Sequence, residues 1–341
     1  MNLTRASKEL FRRRPDECFP SLGVLSQHVQ WQKQEALEAW QPPRALRVQA
    51  VESDLLMLDA GNDGTFTMND WSFGQLCRLS GVAKETVNRL TPDTAARVFS
   101  ETLPRGNKPL QLFTLAGQLR SIHAASYTRL FNADLLDLIR ETAVGFEPPP
   151  KGCNGGTGLY GGEQDAFCFL IDPAGWTEIA GEAFAPGMFV WNSEVGCRSV
   201  GIQTFWFQAI CANHIVWDAT EIVEFSRKHT SNVHDALDDI RFAIQSLVQK
   251  RDQRRDAFVK AVQQAMVTTL GSDAEEVQKA MSQQGIPRTL VKEAIEIAQE
   301  KGRFTIFSMV DALTRIAGKI VNAGERIQVD QKAASLLALA V

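Results

Sequence analysis

The spacing of apolar residues changes character near Asn232, and no other feature constrains the fold as much. Downstream, the pattern is helical almost without interruption. Leu237, Ile240, Ile244, Leu247 and Val248 form one stripe, and Phe258, Val262, Met266 and Leu270 form another. The intervening KRDQRRD at 250–256 is polar on all faces. It predicts either one helix crossing solvent or two helices meeting. Further helices fit 274–284, 289–299 and 306–318, with Pro287 and Gly302 as breaks.

Upstream of Asn232, short apolar runs are cut by turn residues. Phe19, Leu22, Leu25 and Val29 recur at three- and four-residue steps around and after Pro20 and predict one short amphipathic helix. Residues 44–58 read as strand. Gly61-Asn62-Asp63-Gly64 is strong turn chemistry and predicts a hairpin returning through 65–68. Helices are expected over 69–102, and a hairpin around Gly117 over 110–123. A helix over 133–142 is expected to be capped by Asn132. The segment 148–162 carries three prolines and six glycines, so a loop is expected there. Strands resume at 166–171, 187–191 and 200–203, and 205–213 reads as a helix. The fold class expected is α+β: a mixed or antiparallel sheet core with packed helices and a mainly helical C-terminal region. The organisation expected is a polar, partly helical segment at 1–45, an α+β core at 46–231, a helical region at 232–302, and helices at 303–341 packing back on the core. No internal repeat at a fixed period is visible.

Lys+Arg 36 against Asp+Glu 40 gives a net charge of −4, which argues against a polycationic coat for nucleic acid and leaves room for a local basic patch. No stretch of about 18 apolar residues suggests a membrane span, and the first residues lack the apolar region of a signal peptide, so the expected location is the cytoplasm. The six cysteines, Cys18, Cys77, Cys153, Cys168, Cys197 and Cys211, form no C-x-x-C pair and read as free thiols.

Familiar catalytic signatures are absent: there is no G-x-x-x-x-G-K-[ST], H-E-x-x-H or G-x-S-x-G. Cys197, Cys211 and His214, with Cys153 or Cys168, could supply soft zinc ligands, but only Cys211 and His214 are closely spaced. Buried thiols and a capping histidine account for them better, and no metal or cofactor is expected. Arg227-Lys228-His229 follows an aromatic stretch, Phe205, Trp206, Phe207 and Trp217. Basic groups beside rings suit a single strand, whose bases stack while phosphates need counter-charge. Rings in such a run also fill cores. The second basic cluster, Lys250, Arg251, Arg254 and Arg255, is diluted by Asp252 and Asp256 and reads as a solvated face.

Three segments carry a family resemblance. The first is Asn192-Ser193-Glu194-Val195-Gly196 at a strand end. The second is Cys211-Ala212-Asn213, and the third Arg227-Lys228-His229-Thr230. Upstream, Arg120, Ser126, Tyr127 and Asn132 lie in a stretch similar to that family's R-A-x-x-S-x-x-Y-x-x-x-x-N segment. Together they resemble a family of unknown function carried by phages, plasmids and integrated elements, the phage/plasmid-like proteins. His214 stands where that family has glycine. The resemblance implies mobile-element company and, by association, DNA metabolism; it implies no reaction.

The leading expectation is a non-enzymatic, nucleic-acid-associated protein, a single-strand binding or annealing accessory in recombination or replication. Its contact groove would hold Arg198, Arg227, Lys228 and His229, with Trp191 and Trp217 as stacking platforms. The partner would be single-stranded DNA or RNA, with homo-oligomerisation as in annealing proteins. The first alternative is an enzyme with Glu194 as general base and Asn192 or Ser193 orienting the substrate. The second is a self-assembling or partner-binding scaffold using the helical region. For the first, the structural counterpart is that Asn, Ser and Glu satisfy turn backbone groups by themselves.

Overall fold

The computed structural model describes residues 17–51, 55–149, 158–208, 214–217, 224–299, 302, 304–320 and 323–340. In chain order the elements begin with β1 Glu17–Cys18, α1 Leu22–Glu35, β2 Ala36–Gln41, β3 Arg47–Val51, β4 Leu55–Asp59 and β5 Thr65–Met68. Then come α2 Asp70–Leu79, α3 Lys84–Val87, α4 Pro92–Thr102, β6 Leu110–Leu115, β7 Gln118–Ala124 and α5 Asn132–Thr142. Six strands follow in the second sheet: β8 Leu159–Gly161, β9 Ala166–Ile171, β10 Thr177–Ile179, β11 Glu182–Asn192, β12 Val200–Gln208 and β13 His214–Trp217. With β14 Glu224–Arg227 the strands end. The rest is helical: α6 Ala236–Gln249, α7 Arg251–Val267, α8 Ala274–Gln283, α9 Arg288–Gln299, α10 Ile306–Ala317 and α11 Ala323–Leu337. The architecture is α+β, with one mixed and one antiparallel sheet, packed helices and a helical C-terminal region.

The first sheet runs β2-β6-β7-β5-β4-β3, antiparallel except where β5 meets β7. That parallel pair requires a crossover, and α2, α3 and α4 supply it. Local chemistry starts each of the longer two: Asn69 and Ser72 form a reciprocal capping box on α2, and Thr91 with Pro92 opens α4. Their apolar faces, through Phe73, Leu76 and Phe99, close on Leu56, Leu58, Leu112 and Leu119 of the sheet. The second sheet runs β1-β8-β9-β11-β12-β13; β10 pairs with β11, and β14 shares the outer edge of β12 with β13. One face packs Leu170, Met188, Val190 and Ile202 against α1, α5 and α6. Farther along the same strands, Phe184 and Trp206 meet α7 and α10, with Trp206 stacked on Phe258 at 4.1 Å. The other face is a buried aromatic layer of Phe167, Phe169, Phe189, Phe205 and Phe207.

Several expectations are corrected. Residues 205–208 belong to strand β12, not to a helix. Both faces of β12 are buried, Gln203, Thr204 and Gln208 included, so polar and apolar residues do not alternate with a period of two, and Phe205-Trp206-Phe207 imitates a buried helix. Residues 159–161, expected as loop, pair with β9 and β1; residues 150–157 lie outside the described residues. Of the 1–45 segment, residues 17–45 are described, and there β2 pairs with β6 and α1 packs on α5. The polar stretch at 250–256 is where α6 and α7 meet at Lys250, and Arg254 within it is buried rather than solvated. Arg251 pairs with Asp172 at 2.5 Å.

Two hairpins turn on Ala-Gly. Ala116 and Gly117 join β6 to β7 with φ of 48° and 77°, and Ala180 and Gly181 join β10 to β11 with φ of 52° and 82°. Two positive φ values in a two-residue loop suit the strand twist. Alanine is a poor residue for the first position, because its Cβ crowds the carbonyl in the left-handed region. Replacing Ala116 or Ala180 with Asn is expected to stabilise the fold by about 0.5–1 kcal/mol each, read as a higher melting temperature.

Candidate functional site

The described motif segments, 192–196, 227–230 and the stretch from Arg120 to Asn132, meet at the junction of the two sheets. Asn192, Ser193 and Glu194, at the end of β11, are buried, as are Arg120 of β7, Arg129 and Asn132. Asn192 donates through Nδ2 to the Leu130 carbonyl (2.8 Å) and to Asn132 Oδ1 (2.9 Å). Ser193 Oγ donates to the Gln164 carbonyl and accepts from the Cys197 amide (2.9 Å). Glu194 Oε1 accepts from the Asn132 amide at 2.7 Å. Asn132 is thus the first residue of α5, not its cap; the capping acceptor comes from Glu194, 62 residues away. A carboxylate at a helix N-terminus answers unpaired amides and the positive end of the dipole.

Arg129 binds this turn to the first sheet. Its Nη1 donates to the Glu194 carbonyl, its Nη2 to Gln111 Oε1 (3.0 Å), and its Nε pairs with Glu38 Oε1 at 2.7 Å. Gln111 in turn donates to Glu38 Oε2 (3.1 Å). The guanidinium lies 3.6 Å over the Phe113 ring, and Tyr127 donates its hydroxyl to the Glu194 carbonyl (2.9 Å). Trp71 of α2 reaches across with Nε1 to the Val195 carbonyl (2.8 Å). Burial pushes the Glu194 carboxyl above its usual range, while the Asn132 amide, Arg120 and Arg129 pull against that rise. Arg120 donates to the Glu163 carbonyl (3.0 Å) and is lowered by burial, against the pull of Glu194 and Glu163.

Beside this brace stands a column of rings. His123 stacks on Tyr127 at 3.7 Å, and Tyr127 on His229 at 5.4 Å. Gly196, with φ of +71°, closes over it: a Cβ there would lie 2.8 Å from His123 Cε1 and 3.0 Å from Tyr127 Cε2. The glycine is therefore required twice, by backbone and by space. Burial lowers His123 to about 3 and His229 to about 4, aided in both by Arg129. Both rings are neutral near pH 7. Arg78 is exposed and lies 5.2 Å from the Trp71 ring at the rim.

The residues of the expected groove fare differently. His229 is buried in the column, and Lys228 beside it is exposed. Arg198 pairs with buried Asp165 at 2.7 Å. Arg227 pairs with Asp239 (2.6 Å) and Asp235 (3.3 Å). Trp191 stacks on Phe189 at 4.8 Å. The Trp217 side chain, Cys211 and Asn213 lie outside the described residues. The arginines at Glu194 are Arg129, which donates to its carbonyl, and Arg120, whose charge acts on its carboxylate. Arg129, Glu38, Gln111 and Trp71 give no site signal in the sequence, since pairs 18 to 124 residues apart leave no local pattern. Among the described residues no group of three His, Cys, Asp or Glu could hold a metal ion. Cys168 is wholly buried and its thiol is pushed up to about 12. Nor is any described helix long and apolar enough to cross a membrane. Comparison with known proteins found no matching family model, no matching curated relative and no matching solved structure.

Removing the Glu194 carboxylate would leave the Asn132 amide at the start of α5 without its acceptor and take away the charge that acts on buried Arg120, while Arg129 keeps Glu38. Glu194→Ala is expected to cost about 3–5 kcal/mol in denaturant unfolding. Glu194→Gln, which keeps an acceptor for the Asn132 amide, should cost less. The histidines predict a pH dependence. Each holds fewer protons folded than unfolded between its lowered value and about 6.5, so stability is full above that range and falls as pH drops through it. The slope is at most about 1.4 kcal/mol per pH unit per histidine. Glu194 acts oppositely, its raised value favouring the folded state toward low pH. Melting curves from pH 7 to 5 should fall for the wild type and flatten in His229→Asn.

Proposed function

We propose that this chain is a nucleic-acid-associated binding protein of single-strand type, not an enzyme. The observation that carries the reading is the rim of the junction. Exposed Arg78 lies against Trp71, neutral His123 and Tyr127 stack a short distance inside, and exposed Lys228 adjoins His229. Rings beside mobile cations serve base stacking and phosphate neutralisation together. The resemblance to phage/plasmid-like proteins supports the same direction. Arg198 and Arg227 contribute little in this reading, because carboxylates already answer them. The enzyme alternative is disfavoured by the engagement of Glu194: a general base needs a free lone pair aimed at a substrate proton, and this carboxylate caps α5 inside the protein.

Binding should be modest, given the net charge of −4. With two or three phosphate contacts, log K on a single strand should fall against log salt with a slope of about −1.4 to −2. Arg78→Ala with Lys228→Ala should flatten that slope by about 1.4 and weaken all sequences alike. Fluorescence anisotropy with labelled single-stranded DNA and RNA reads both quantities. A wild-type protein that binds neither at about 50 mM salt sinks the reading.

A further inference from the structure

A second surface differs in kind from the junction. Strand β3 is the last strand of the first sheet, and among the described residues nothing pairs with its outer side. Alternate residues of such an edge present unpaired backbone N–H and C=O groups. A cleft of about 520 Å³ runs there, lined by the consecutive residues Leu46, Arg47, Val48 and Gln49 and by Phe99 and Leu103 of the α4 end. Consecutive lining residues point alternately to the two faces of a strand, so the cleft follows the strand's free edge rather than one face.

The remaining lining includes Arg44 and Arg105, and no lining residue is acidic. Arg44, Arg47 and Arg105 are all exposed, and among the described residues none makes an ion pair. Two carboxylates stand near among the described residues, and each already has a partner. Asp59, opposite Arg47 in the ladder, accepts from Gln49 Nε2 (2.9 Å) and the Gly61 amide (2.8 Å). Glu101 pairs with Arg97 at 3.0 Å.

We infer that this cleft takes an extended acidic peptide segment of a partner protein, which adds to β3 as a further strand. Backbone hydrogen bonds to the edge supply affinity, Arg44, Arg47 and Arg105 engage alternate carboxylates, and the apolar wall of Val48 and Leu103 receives the side chains between them. A phosphodiester chain would use the arginines but has no amide ladder to offer the edge. The proposal stands independently of the nucleic-acid reading.

The test uses the full chain and a labelled, end-blocked peptide alternating Glu and Val. Controls are a peptide alternating Lys and Val, and the Glu/Val peptide with alternate amides N-methylated. The Glu/Val peptide is expected to bind at least ~10-fold more tightly than the Lys/Val peptide at low salt. N-methylation should remove the binding, which reads the strand edge in the unaltered protein. Arg44→Ala, Arg47→Ala and Arg105→Ala combined should weaken it at least ~10-fold without moving the melting temperature, since the three side chains are exposed. The inference is overturned if the wild type does not distinguish the two charge patterns, or if the N-methylated peptide binds as well. It is also overturned if the triple variant loses binding to single-stranded DNA while its peptide binding is unchanged.

Discussion

The buried guanidinium of Arg129 is the point on which the two sheets depend for their mutual position. A charge with 2% of its side chain exposed is tolerated only when its donors are answered. Here the answers come from three places in the chain: Glu38 on β2, Gln111 on β6, and the Glu194 carbonyl after β11. The first two belong to one sheet and the third to the other. A shift of either sheet would strand a buried charge, so the polar contacts set the geometry while the apolar layers on each side supply most of the driving force. Glu194 extends the same logic, since its carbonyl takes Arg129 and Tyr127 while its carboxylate starts α5.

This arrangement explains why the motif residues read ambiguously. A polar triplet at a strand end is the same string whether it serves a substrate or backbone amides. The decision rests on what stands opposite, and Asn132, Leu130 and Gln164 all lie at least 29 residues away. The α+β class, the helical C-terminal region, the Asn-Asp turn at 61–64 and the hairpin at Gly117 were legible because each follows from local period or turn chemistry. Strand β12 was not, because burial on both faces erases alternation. The capping of α5 was misassigned for a related reason: Asn132 is a good cap by type, yet a carboxylate from another element holds that amide. Arg254 was read as solvated from its neighbours' polarity, whereas its helix buries one narrow side that includes it.

The ring column shows how burial decides the role of a titratable group. His123 and His229 beside Arg129 would be poor proton shuttles near pH 7, since both have been moved well below it. As neutral rings they stack on Tyr127 and sit beneath Gly196, which admits no Cβ. The basic triplet Arg227-Lys228-His229 is thereby divided three ways. One member is ion-paired, one is exposed and one is a packed ring.

Charge placement across the surface follows from the same accounting of partners. The net charge of −4 describes the whole chain and says little about any one face. What distinguishes a face is whether its cations are already answered. Arg198 and Arg227 sit where carboxylates meet them, so a polyanion approaching there would have to displace an existing ion pair. Arg44, Arg47 and Arg105 sit beside a strand edge and make no ion pair among the described residues. An approaching anion meets no such competitor there, and the edge adds a requirement that charge alone does not: a ligand that presents amides and carbonyls at strand spacing. The rim at Trp71 and Arg78 imposes the opposite requirement, because a ring over a cation rewards a flat π-face and offers no ladder. Two surfaces of like charge on one chain thus differ in form, one an open strand edge and the other a cation beside an indole ring.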